Sequence, residues 1–270
     1  MKAKYATIPY VIWMAVFIAI PLILVTVYAF TSRDGGFTLA NFQNMGSYTM
    51  VFVRSIVLAL IATVICLLLG YPLSYILSRF GTRAQAICMM LIMLPMWMNF
   101  LLRTYAWMSI LENTGLINRF LTFLGLPTMN LINTQGAVVL GMVYNYLPFM
   151  VLPVYSVIVK IDHSLTEAAR DLGASGYGVF MRVIFPLSVP GVVSGITMVF
   201  VPALSTFVIS KLLGGGTTML LGDLIEMQFL GSSYNPHLGS AISLVMMVIV
   251  LICIFVMNRF GEGEEQAVIL

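Results

Sequence analysis

Residues 164–187 read S-L-T-E-A-A-R-D-L-G-A-S-G-Y-G-V-F-M-R-V-I-F-P-L. This polar, amphipathic stretch interrupts long hydrophobic runs, and its reading sorts the rest of the chain. Ser164-Leu165-Thr166-Glu167 fits a capping box, in which Ser164 accepts from the Glu167 amide and Glu167 reaches back to Ser164. A short helix therefore starts here. Gly173 sits where a left-handed residue would end it. Ser175 can cap a second short helix through about Val183. Pro186 then falls near the first turn of the next hydrophobic run, where a missing donor costs little. The product is a helix–turn–helix elbow over residues 163–183. Leu165, Ala168, Ala169 and Leu172 recur at helical spacing and form a small apolar face, with Glu167, Arg170 and Asp171 around it. Such a face would dock into a groove on a soluble partner or lie flat on lipid.

The surroundings of the elbow are apolar. Of 270 residues, 60% are hydrophobic and 9% charged, against about 25% charged in a soluble globule. Lipid is therefore the main solvent, and the backbone must be helical or a closed barrel. The apolar runs are continuous rather than alternating, which selects helices. A span needs ~20 apolar residues. Six segments meet that length, at about 8–30, 55–78, 86–111, 136–158, 184–210 and 239–258. The first is much longer than the ~7–15 apolar residues of a signal peptide and is kept as a span. The predicted fold is thus an all-α integral membrane domain, one unit over 1–270. The intervening loops 31–54, 112–135 and 211–238 have room for short interfacial helices, and the acidic tail at Glu262, Glu264 and Glu265 is expected to fray.

Orientation follows from Lys and Arg near the span ends. With the N-terminus inside, Lys2, Lys4, Arg79, Arg83, Lys160, Arg170, Arg182 and Arg259 lie inside, and Arg33, Arg54, Arg119 and Lys211 outside. This bias predicts both termini, and the elbow, in the cytoplasm. Cys66, Cys88 and Cys253 are scattered through apolar runs, which suits neither a disulfide framework nor a metal site. The near balance of 13 basic and 10 acidic residues gives no footprint for nucleic acid. No phosphate-binding G-x-x-x-x-G-K-[ST] loop occurs, so energy for any active process must come from a partner or an ion gradient. His163 and His237 fall in different loops, and no catalytic constellation accompanies them.

The elbow resembles the EAA motif of ABC importer permeases, E-A-A-x3-G-x9-I-x-L-P. Glu167-Ala168-Ala169 and Gly173 fit it, and Val183, Phe185 and Pro186 follow at the right spacing, with Val for Ile and Phe for Leu. Further segments resemble polyamine permeases: Leu94-Pro95-Met96-Trp97, Arg103-Thr104-Tyr105-Ala106-Trp107, Gly115-Leu116-Ile117-Asn118, Tyr146 to Pro153, Leu213 to Gly216, and Glu226 to Phe229. Tyr234-Asn235-Pro236-His237 departs from the aromatic W-P-F pattern expected there. The resemblance implies a six-helix, MetI-like permease of the spermidine/putrescine family. It implies a second, related permease subunit, two copies of a cytoplasmic ATPase carrying the ATP and Mg, and an extracytoplasmic polyamine-binding protein. Glu167, Ala168, Ala169, Arg170, Asp171, Gly173 and Ser175 would then couple the chain to the ATPase.

A polyamine is a polycation with methylene spacers. It calls for carboxylates, or for aromatic faces and cation–π contact. The spans carry no central acidic residue, so a site within them must rely on aromatics, amides, hydroxyls or a partner. On a continuous third span Trp97, Leu101 and Tyr105 share one face, and Asn99 and Arg103 another. Trp97 and Asn99, near Pro95, are the leading pathway candidates, followed by Tyr144, Asn145 and Tyr146, with Tyr105 also a candidate, although aromatic belts and packing explain such residues more often. Arg103 is expected to pair with Glu112 or with backbone carbonyls. Asp223 and Glu226, three apart on a possible outer helix, would share a face. They would draw in cations or dock a binding protein, or would merely be solvated. Rival readings are a same-fold permease for an amino acid, sulfate or iron, and an ion-coupled carrier. The carrier reading lacks buried ionisable residues and inverted repeats.

Overall fold

Long apolar runs can satisfy their own backbone groups in lipid only as helices, and the chain obeys. The computed structural model describes residues 8–32, 35–231 and 233–265. Lys2, Lys4 and Arg33, assigned to sides of the membrane from the sequence, lie outside those residues. The helices are α1 (Ile8–Met14), α2 (Ile20–Phe30), α3 (Ala40–Asn44), α4 (Thr49–Ser78), α5 (Thr82–Trp97), α6 (Phe100–Leu111) and α7 (Leu116–Phe123). Then come α8 (Gln135–Ile158), α9 (His163–Asp171), α10 (Gly176–Val179), α11 (Phe185–Ser205), α12 (Val208–Leu213), α13 (Leu221–Leu230) and α14 (Pro236–Glu265). Among the described residues, five continuous helical segments are long and apolar enough to span a membrane, and a sixth is made by a bent pair. Short helices α3, α7 and α13 do lie in the loops 31–54, 112–135 and 211–238, whereas the span expected over 184–210 ends at Ser205 and its last residues start α12. The backbone of the acidic tail stays helical through Glu265.

The third span is not the single helix expected over 86–111. It is broken between α5 and α6, with a bend of 89° between Thr82–Trp97 and Phe100–Phe123. Three local features explain the break. Pro95 lacks an amide donor. Met98 is extended, with ψ 149°. Asn99 then restarts the helix, its side-chain oxygen accepting from the amides of Leu101 (2.8 Å) and Leu102 (3.4 Å). A cap of this kind is worth ~1 kcal/mol. The break also removes the helical face that Trp97 and Tyr105 were expected to share. Asn99 serves as a cap, not as an i,i+4 neighbour presented beside Arg103.

Two other prolines are absorbed without a break. A π-helical turn at Ala15–Ala19 precedes Pro21, and another at Phe180–Ile184 precedes Pro186. In each, the residue just before the proline donates five residues back: Ile20 to Ala15, and Phe185 to Phe180. The wider turn makes room for a ring that would otherwise strike the carbonyl four residues earlier. The second short helix predicted after Ser175 is therefore not separate. Residues Gly176–Ser205 form one span.

The core is the triangle of α4, α8 and α11. Met150 of α8 is fully buried between Gly70 of α4 and Gly195 of α11, where an added Cβ would run into the Met150 side chain. Ser74 of α4 donates to the Val151 carbonyl (3.1 Å). α2 packs on α14, which in turn packs on α11. Asn235 and Pro236 start α14 as N-cap and first-turn proline, and Asn235 accepts from the Leu238 amide (3.3 Å). The neighbouring His237 contacts the Tyr28 carbonyl and ring. α5 has no fully buried residue.

Candidate functional site: the elbow and a pocket at the far end

The elbow is built by three small devices. Asp162, not Ser164, caps α9. Its carboxylate accepts from the Ser164 amide (2.9 Å). The expected Ser164–Glu167 capping box is replaced because the helix begins two residues earlier, at His163. That hydrogen bond lowers the Asp162 pKa, so its stabilisation is present above the ordinary carboxylate range and lost as pH falls through the lowered value.

The second device ends α9. Gly173 has φ +83°. Its amide donates to the Arg170 carbonyl (2.8 Å), and the Ala174 amide reaches the Ala169 carbonyl (3.0 Å). This is the paired C-terminal closure of a Schellman motif. No atom lies within 4 Å of where a Gly173 Cβ would be. The third device is Ser175, which accepts from the Gly178 amide (3.2 Å) and starts the next helix as expected.

The apolar face divides. Ala169 and Ala174 pack towards the bundle. Leu165 and Ala168 point outward, as does Leu172, which is 89% exposed. Tyr177 extends that outer surface, and Glu167, Arg170 and Asp171 remain exposed around it. Behind the elbow lies a cavity of about 490 Å³ lined in part by Arg79, Gln85, His163, Thr166 and Ile184.

An aromatic cluster that the sequence reading missed ties the elbow to the core. Phe180 and Phe185, one π-turn apart, pack on Tyr71 and Tyr75 of α4. Tyr71 shares a buried hydrogen bond with Ser188 of α11 (2.8 Å). The signal in the sequence is Tyr71/Tyr75 at i,i+4 facing Phe180/Phe185 at i,i+5, the latter a spacing that only a π-turn brings to one side.

At the far end of α11 the chain turns into α12 and α13. With 21 residues at ~1.5 Å each, α11 separates the two ends by about 30 Å. Here Asp223 and Glu226 do share one side of α13, lining a cavity of about 290 Å³. The Asp223 carboxylate accepts from the Leu220 amide (2.9 Å), capping α13, while its other oxygen is buried with no hydrogen bond among the described residues. Burial pushes the Asp223 pKa up, and Glu226 adds to this. The Leu220 amide, Ser210 and Lys211 oppose it. Asp223 therefore costs stability as pH rises through its raised value, and acidification relieves that cost. Glu226 holds Lys211 through both oxygens (2.8 and 2.9 Å). Lys211 was read only as an outer cation, and its partner was not foreseen.

The other pathway candidates separate. Trp97 is 79% exposed, at the C-terminus of α5, and Tyr105 is exposed on α6. Tyr144 packs edge-on against Trp107 of α6. Tyr146 is buried, its hydroxyl donating to the Pro202 carbonyl (3.3 Å). Arg103 does not form the expected contacts. It is buried, and its Nε and Nη1 have no partner among the described residues, neither Glu112 nor a carbonyl. Among the described residues, no group of three His, Cys, Asp or Glu side chains could hold a metal ion.

Residues 55–263 match the model of the family described as binding-protein-dependent transport system inner membrane component. The chain belongs to that family. It is 39% identical to the spermidine/putrescine transport system permease protein PotB of Haemophilus influenzae, over 93% of this chain and 91% of that protein. It is 37% identical to the PotB protein of Escherichia coli K12, over 92% and 93% respectively. Among solved structures, a bacterial ABC transporter that imports alginate aligns with TM-score 0.78 at 18% identity, covering 97% of this chain and 95% of that one. The MetNI methionine ABC transporter aligns with TM-score 0.61 at 16% identity, covering 82% and 97%. The MetI-like fold expected from the elbow is thus the fold the chain has.

Proposed function

We propose that this chain is a permease subunit of an ATP-driven polyamine importer. It would sit multi-pass in a bacterial cytoplasmic membrane with both termini inside. The observation that carries the reading is the elbow: a capped, glycine-terminated helix whose outward face of Leu165, Ala168 and Leu172 is exposed, rooted by Phe180 and Phe185 in the core. The similarity to two spermidine/putrescine permeases over nine-tenths of the chain supports the substrate class. In this reading the chain performs no catalysis. ATP and Mg stay on two ATPase subunits, and their closure pushes the elbow. The push travels through the continuous helix Gly176–Ser205 to the outer end. A second, homologous permease subunit would complete the pathway, covering α5 and the exposed Trp97 and Tyr105. A polyamine-binding protein would dock outside.

The test is co-purification with the partners encoded beside the gene, reconstitution into proteoliposomes, and an ATPase assay with and without spermidine-loaded binding protein. Stimulation by spermidine is expected. A complex that assembles but ignores spermidine and putrescine removes the substrate class and leaves the permease architecture standing.

A further inference from the structure

The outer cavity holds an arrangement that the elbow does not explain. Two carboxylates, Asp223 and Glu226, line about 290 Å³ together with Lys211, the hydroxyls of Ser210 and Thr218, and the apolar side chains of Met219, Met227 and Leu230. Lys211 reaches across from α12 and puts its ammonium between both oxygens of Glu226. A lysine side chain is four methylenes ending in a primary ammonium. That is the aminobutyl arm of putrescine and spermidine, already docked on a carboxylate.

We infer that Lys211 occupies, within the resting chain, the seat that an aminobutyl arm of the polyamine takes during import, with Glu226 and Asp223 as its carboxylates. The inference rests on the polyamine reading above and adds a place and an exchange mechanism to it. Four observations support it. The ion pair is soft: Lys211 is 61% and Glu226 27% exposed, and exposed pairs hold weakly. The cavity carries one more acidic than basic group, so displacing Lys211 leaves two carboxylates for an entering polycation. One Asp223 oxygen accepts from the Leu220 amide, and the other is buried near Ser210 with no hydrogen bond among the described residues, which leaves it able to accept from an entering ammonium. Finally, the methionines offer polarisable, apolar surface to the methylene spacers.

The inference makes opposite predictions for the two halves of one ion pair. In nanodiscs containing the assembled complex without binding protein, equilibrium binding of radiolabelled spermidine is measured. Lys211→Met should tighten binding about two- to fivefold by vacating the seat, and Glu226→Gln should weaken it by a similar factor. Asp223→Asn should also weaken it. An ion pair that serves only to hold α12 against α13 would move both variants in the same direction. That result overturns the inference, as does a Lys211→Met complex that binds no tighter than the parent, or one that binds no spermidine at millimolar concentration. Lys211→Gln carries the same test if the methionine variant does not assemble. The polyamine reading is judged separately by spermidine stimulation of the parent's ATPase. If that succeeds while the two variants shift together, only the seat is lost.

Discussion

Gly173 and Gly215 share a backbone conformation and differ in everything around it. Both have positive φ, +83° and +54°. Gly173 sits in open space at the tip of the elbow. Gly215 sits in the outer turn after α12, where a Cβ would collide with the side chain of Asn133, itself at φ +61°. That turn is locked from afar: the Asn133 amide donates to the Leu213 carbonyl (2.9 Å) and Thr217 donates to the Asn133 carbonyl (3.1 Å). Nearby, the Leu221 amide donates to Ser55 of α4 (2.8 Å). The turn at the elbow is closed by neighbours in sequence, and its outer surface is exposed. The outer end is built from residues brought together across the fold. On the proposed function, the first end is the one that moves and the second the one that is held.

The largest expected effect follows at the held end. Gly215→Val adds the left-handed cost of ~1–2 kcal/mol to an overpacking cost of about 1–3 kcal/mol. We expect a loss of several degrees in the melting temperature of the detergent-solubilised complex, together with lower yield. A variant as stable as the parent would show that the outer turn is not locked.

The same substitution at the elbow should behave differently. Gly173→Val incurs only the ~1–2 kcal/mol of backbone strain, with no collision. The chain should still assemble in the membrane, but the partner ATPase should hydrolyse ATP without spermidine uptake. Gly173→Asn should retain much of the transport, since asparagine tolerates this conformation. Full transport by the valine variant would disprove the lever.

This contrast also separates what could be read in advance from what could not. Gly173 as a helix end and Ser175 as a cap were legible because each depends on three or four consecutive residues. The capping box at Ser164 was misplaced by its neighbour: Asp162, two positions upstream, is as good a cap and starts the helix earlier. The span count was legible from apolar length. The break at Met98 was not, because prolines at 72, 148, 153, 190 and 202 lie inside continuous helices. Only Pro95 is followed by a cap at Asn99, on a helix that buries no residue to hold it straight. Apolar periodicity could not show that Lys211 meets Glu226, 15 positions away, nor that the Arg103 Nε and Nη1 would be buried with no partner among the described residues. These depend on how loops fold back, which composition does not encode.

Within the elbow, a smaller effect should come from Ser175. Ser175→Ala frees the Gly178 amide at a cost of about 1 kcal/mol. Transport should fall partially, and hydrogen exchange should quicken over residues 176–179 while the outer end is unchanged. Faster exchange at residues 213–221 as well would mean that the two ends are not built independently.

The smallest effect is expected at Asp162, and it tests whether the elbow is a local construction. Asparagine caps helices as well as aspartate, so Asp162→Asn should match the parent near neutral pH in both transport and exchange protection. The two should part on acidification. In the parent, the hydrogen bond from Ser164 depresses the carboxyl pKa, so the cap stays intact below the ordinary carboxylate range and is lost once pH falls through the lowered value. Protection of the first turn of α9, corrected for intrinsic exchange rates, should drop there in the parent and stay level in the asparagine variant. Parallel curves for the two proteins would mean that something other than this carboxylate holds the start of the elbow, and the claim of local construction would fail with it.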